Sequence, residues 1–203
     1  MARNVTAPGV LRKAIEVGAV PAAASVSRKG EARWEAGDLS YRVWVWKDTT
    51  GALTWDLHIG DAKFGALMSE YGGLSVPVRS SQNSIPWPMT ADSLLADFLQ
   101  EGLGRAGQFV IDRADLCALL CSSEDVHRGD LYTWLPIANY PARLAQALIL
   151  ARDIGEVDLE SQILSTLQGD SIRLSNGRSL EILKSAKSWA SKYSTALGFD
   201  VPI

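Results

Sequence analysis

Residues able to do chemistry near neutral pH are scarce in this chain. Its 203 residues include two histidines, His58 and His127, and two cysteines, Cys117 and Cys121. Two cysteines four apart, in the run DLCALLC from Asp115 to Cys121, exclude the disulfide framework of a small secreted domain. Set among leucines, they read as small buried hydrophobes. Taken with His127 as metal ligands they lack a fourth partner, and the CxxxC spacing is not that of structural zinc. No metal and no cofactor is therefore expected. Long apolar runs are also missing. No stretch approaches the ~18 to 20 residues of a membrane span, and Arg12, Lys13 and Glu16 interrupt the place where the apolar core of a signal peptide would lie. The expectation is a cytoplasmic chain with no membrane contact.

Positive charge is short as well. Twenty Lys and Arg stand against 23 Asp and Glu, for a net charge of −3 and a pI of about 5.4. Cationic runs stop at two residues, Arg12-Lys13 and Arg28-Lys29, so the chain has no footprint for nucleic acid. There is no G-x-x-x-x-G-K-[ST] phosphate loop, no G-x-S-x-G elbow and no H-E-x-x-H pair. Gly102–Gly107 matches G-x-G-x-x-G by letter, but it follows a predicted helix and leads into a strand, the reverse of a dinucleotide fingerprint. It reads as a hinge. Glu70, Asp92, Asp97 and Glu101 form no pair at hydrolytic spacing.

What the chain does have is tryptophan, seven in all, with three in the twenty residues Ser40–Ile59. The runs Leu39–Lys47 and Ala52–Ile59 are β-branched and aromatic, and Asp48-Thr49-Thr50-Gly51 between them has turn chemistry. The expected hairpin has an even loop pairing Lys47 with Ala52 and Trp44 with Trp55. One face then carries Trp44, Trp46 and Trp55, and the other Tyr41, Val43, Val45, Asp56 and His58. The indole face is either a core wall or a binding platform. Apolar faces on the later helices favour the wall, with Trp44 and Trp55 as buried anchors.

Elsewhere, the pattern predicts a helix over Val10–Val17, a first strand around Trp34, and a further strand over Leu74–Arg79 that Pro77 confines to a sheet edge or a strand end. A polar, proline-bearing loop holds Trp87. Helices are expected over Ala91–Glu101, from Arg113 to about Cys121 behind an Asp112 cap, from Pro141 to Ile154, after an Asp158 cap, and from a Ser179 cap through Leu197. The fold class is α+β: an N-terminal antiparallel sheet of three or four strands with a flanking helix, then a mainly helical C-terminal half. Residues 1–203 are read as one domain, with sub-lobes 1–101 and 108–203 on either side of the glycine hinge.

With no catalytic constellation, the expected role is a non-catalytic protein-interaction protein. In size, composition and bacterial style the chain is similar to immunity proteins that bind a secreted toxin, and to adaptors and secretion chaperones, although no motif marks any of these. Tyr41, Asp56, His58 and Trp87 are the candidate partner-binding residues, and the partner is another protein such as a toxin or secreted effector. The alternatives are a small-ligand binder with a tryptophan-lined pocket, or an enzyme built from scattered carboxylates and His58.

Overall fold

A computed structural model of the chain describes residues 6–68, 74–82, 84–85, 92–174, 177–181, 191 and 195. In chain order it contains α1 (Ala7–Glu16), β1 (Ser25–Val26), β2 (Glu31–Ala36), β3 (Leu39–Lys47), β4 (Leu53–Asp61), α2 (Ala62–Met68), β5 (Ser75–Ser80), β6 (Ser84–Ile85) and α3 (Asp92–Phe98). A π-helical segment, Leu99–Gly104, continues α3. It is followed by α4 (Arg113–Leu120), β7 (His127–Arg128), β8 (Leu131–Thr133), α5 (Tyr140–Ile154), α6 (Val157–Gln168), β9 (Ser171–Arg173) and β10 (Ser179–Glu181). The architecture is α+β: a large antiparallel sheet flanked by α1, with helices α4 to α6 in the C-terminal half. No helix among the described residues is long and apolar enough to cross a membrane.

The sheet runs further than the N-terminal sequence suggests. Its order is β1-β2-β3-β4-β5-β8-β7, with β6 paired to the start of β4. Strands from both sides of Gly102–Gly107 therefore share one sheet. Pro77 is not at a sheet edge, because β5 lies between β4 and β8. Its carbonyl accepts from the Trp134 N–H at 3.0 Å, so its main-chain polar edge faces the end of β8 and the ladder to β4 needs no N–H from it.

Register is the main correction. The turn closes on Asp48 and Ala52, with the Asp48 N–H donating to the Ala52 carbonyl at 2.9 Å. Asp48 Oδ1 accepts from the Thr50 N–H, the Thr50 hydroxyl and the Ala52 N–H at 2.8, 2.6 and 2.9 Å. Gly51 takes φ +82°, the left-handed position of a three-residue hairpin loop. The loop is odd, so Val45 pairs with Trp55, Trp44 with Asp56, Arg42 with His58 and Tyr41 with Ile59. Trp55 is fully buried with Val43, Leu57 and Ile59. Trp44 and Trp46 turn to the other face with Asp56 and His58. Tyr41 turns inward, buried and stacked on Trp34 with ring centroids 5.0 Å apart.

Helices close the inner face. Thr6 caps α1, accepting from the Gly9 N–H at 3.3 Å, and α1 buries Val10, Leu11 and Ala14. Asp112 caps α4, accepting from the Asp115 N–H at 2.8 Å. That helix buries Leu116, Cys117 and Leu120, and the Cys117 thiol donates to the Ala147 carbonyl at 3.4 Å. The expected hinge at Gly102 is instead packed helix. A side chain's Cβ at Gly102 would sit 3.3 Å from Cζ2 of Trp55, so glycine lets the π-helical turn close on the indole. Asp61, fully buried at the end of β4, accepts from the Phe64 N–H at 2.8 Å and from Arg113 Nε at 2.6 Å. Arg113 also reaches Asp153 at 2.6 Å, which ties the sheet to α4 and α5.

Pro141 sits in the first turn of α5, and Gly155 stops it at φ +80°. Buried Arg143 fixes the loops beside its start, donating to the carbonyls of Pro136 and Ser122 at 2.9 and 2.8 Å. Burial pulls this guanidinium down to about 10. Helix α6 begins at Val157 with Glu156 at its cap, not Asp158. Ser179 opens strand β10, paired with β9, and caps no helix there. The expected helix through Leu197 falls largely outside the described residues, as does Trp87, while Ser84 and Ile85 of its loop form β6.

Candidate functional site

The inner face of the sheet is mostly core among the described residues, and the polar and charged side chains gather on the outer face. Alternation brings there Glu31 and Arg33 from β2, Arg42, Trp44 and Trp46 from β3, Asp56 and His58 from β4, and Arg79 from β5. Tyr132 stands opposite Arg79 and His127 opposite Tyr132. Most of these side chains are half-buried, while Trp46 and Trp134 are 39% and 46% exposed.

The face is held by charge and by aromatic geometry. The Arg42 guanidinium lies 4.0 Å over the Trp44 ring, and that of Arg79 lies 4.2 Å over the Trp134 ring. Trp44 meets His58 edge to face at 5.1 Å and 83°. Arg79 grips Asp56 with two parallel bonds of 2.7 and 3.0 Å. One oxygen of Glu31, Oε1, accepts Nε of both Arg33 and Arg42 at 2.5 Å each. Burial raises the Glu31 carboxyl, but the two guanidinium groups override this and hold it below its usual 4.5. Burial pushes the His58 imidazole below its usual 6.5. Asp56 opposes that, and Arg42 and Arg79 reinforce it. His58 is therefore a neutral donor and acceptor at pH 7.

Of the four residues singled out from sequence, Asp56 and His58 share this face, Tyr41 lies on the opposite one but lines the same cleft as His58, and Trp87 lies outside the described residues. No hydrogen bond joins Asp56 to His58. Both carboxylate oxygens of Asp56 are taken by Arg79, so the pair is not arranged as an acid/base dyad. His127 lies on the far strand, stacked at 5.5 Å on Tyr132. Among the described residues no group of three His, Cys, Asp or Glu could hold a metal ion. The Arg-Gly-Asp tripeptide at 128–130 is structural: Arg128 pairs with Asp115 at 2.6 Å, and Asp130 accepts from Ser80 and Arg105 at 3.1 and 2.7 Å.

Beside this face lies a cleft of about 690 Å³. Ser40, Gly60 and Ser75, cross-strand neighbours on β3, β4 and β5, lie in it, and Arg33, Arg42, Trp44 and His58 stand along it. Ala62 and Gly65 of α2 close one end. Arg33, Arg42, Arg79 and Trp134 were not singled out from sequence. Arg42 stands opposite His58 only in the odd register.

No family model matches the chain, and no curated protein or solved structure matches it significantly.

Proposed function

We propose that this chain is a non-catalytic protein-binding protein, of the immunity or adaptor/chaperone kind, whose partner docks on the outer face of the sheet. The observation that carries this reading is the pair of exposed indoles, Trp46 and Trp134, set among stacked Arg42–Trp44 and Arg79–Trp134 contacts. Tryptophan and arginine dominate the energetics of protein interfaces, because a flat ring and a planar fork bury much area at little entropic cost. An exposed aromatic patch rimmed by charge marks a contact surface. The end strands β1 and β7 are two residues each, too short to template an added strand. The partner therefore meets the face, and it offers apolar side chains for the indoles and carboxylates for the arginines. This reading puts the protein in the cytoplasm, where its cysteines stay reduced.

The test is a photo-crosslinking residue placed at position 134 or 46 in the producing cell, with position 28 as control. One stoichiometric adduct at 134 and 46, absent at 28, is expected. Retention of the same complex by the double variant Trp46→Ala/Trp134→Ala would refute the reading. Inhibition of a toxin encoded beside this chain, lost in the same double variant, separates immunity from an adaptor role.

A further inference from the structure

We propose that the cleft between β2–β4 and α2 binds a small organic acid, its carboxylate held between the guanidinium groups of Arg33 and Arg42. The inference shares Arg42 with the partner-binding reading but not the exposed indoles Trp46 and Trp134 on which that reading rests.

At about 690 Å³ the cleft falls within the range of small-molecule sites. Small residues line it, and the two glycines let its walls pack close: a Cβ on Gly60 would lie 2.6 Å from the Leu74 carbonyl, and one on Gly65 would lie 3.2 Å from Ser40 Oγ. Ser40 turns its hydroxyl away to donate to the Asp61 carbonyl at 3.3 Å.

The donors along it are free. Arg33 and Arg42 face each other across the strands, and each gives its Nε to the same Glu31 oxygen. That shared acceptor sets the two forks side by side. Their terminal amino groups hydrogen-bond to nothing among the described residues, and neither does His58. A carboxylate matches the planar fork of an arginine, which donates two parallel bonds to it. Glu31 already balances one of the two positive charges, and Glu35 lies at the cleft, so a singly charged acid suits the site better than a dianionic phosphate. Trp44, Ala62 and Leu74 supply apolar surface for the rest of the molecule.

The full chain is titrated with benzoate, hexanoate, benzamide, phenyl phosphate and a hexapeptide with free or amidated C-terminus, read by calorimetry and indole fluorescence. Benzoate or hexanoate is expected to bind saturably, with benzamide and phenyl phosphate each weaker. Arg33→Gln and Arg42→Gln should each weaken the acid about tenfold, the scale of one charged hydrogen bond. The Arg33 side chain is well exposed, so Arg33→Gln should leave the melting temperature unmoved, while Arg42→Gln also loses the contact with Trp44 and should lower it by about 2 to 4 °C. Tighter binding of the free-carboxylate peptide than of hexanoate would assign the same chemistry to a chain terminus. No saturation by any carboxylate, equal binding of benzamide, tighter binding of phenyl phosphate, or indifference to both arginine variants would overturn the proposal. Trp46→Ala/Trp134→Ala should leave benzoate binding unchanged, which keeps its failure distinct from failure of the partner reading.

Discussion

On the inner face of the β3–β4 hairpin, Trp55 is closed off from solvent among Val43, Leu57 and Ile59. On the outer face, a few ångströms away through the same backbone, Trp46 is 39% exposed and Trp44 lies under a guanidinium. The residue type and the strands are the same, yet the roles differ. Trp55 is stabilised by burial and by helical glycine closing on its ring. Trp44 is held by a cation and the edge of an imidazole, contacts of the order of 1 kcal/mol. Tryptophan content alone therefore does not separate core from surface. The parity of a single turn does.

The sharpest way to break that comparison is to truncate one indole on each face. Trp55→Ala should destabilise the fold by about 3 to 5 kcal/mol, the range for a large buried aromatic. Trp46→Ala should stay within about 0.5 kcal/mol. Urea midpoints of the two variants measure the difference, and comparable losses would mean the faces are misassigned. Next in size is Asp61→Asn. It removes one of the two carboxylates that hold Arg113, the fully buried one, and should cost about 3 kcal/mol, read from the same melts. Gly51→Ala attacks the turn itself. A left-handed position without glycine costs about 1 to 2 kcal/mol, and nuclear Overhauser contacts between Val45 and Trp55 show whether the odd register survives.

The smallest effect is a pH dependence confined to the outer face. Burial holds the folded His58 imidazole below its usual 6.5, so the unfolded chain takes up the proton first. The stability His58 contributes is complete above about pH 6.5 and declines as pH falls below it. Wild type should lose more stability than His58→Gln between pH 7.5 and 5.5. Glu31, Asp115 and Asp153 are held low by their arginine and lysine partners, so their contributions fall away only in more acid solution.

Much of the fold was legible because it is local. The Asp112 cap, Pro141 in the first turn of α5 and Gly155 at its end each act within a few residues of themselves. The helices they bound lie where the spacing puts them. The site was less legible. Asp56 and His58 share a face under any register, since alternation alone couples residues two apart. Tyr41 and the arginines needed the pairing between strands. Arg79 grips Asp56 across 23 positions of sequence, and no periodicity within either strand announces it.

The amino-acid sequence by itself determined the α+β class, the helical C-terminal half and the hairpin of Leu39–Asp61. These follow from propensity, capping and hydrophobic period, all of which act over one or two turns of chain. Tertiary structure decided the rest: the odd register, the recruitment of β8 and β7 into the sheet, the packing of Gly102 on Trp55, and the meeting of Arg33, Arg42 and His58 beside one cleft. Each depends on which distant groups a backbone hydrogen bond or a buried side chain brings together. A one-residue change in a turn reverses the answer for every side chain on the strand.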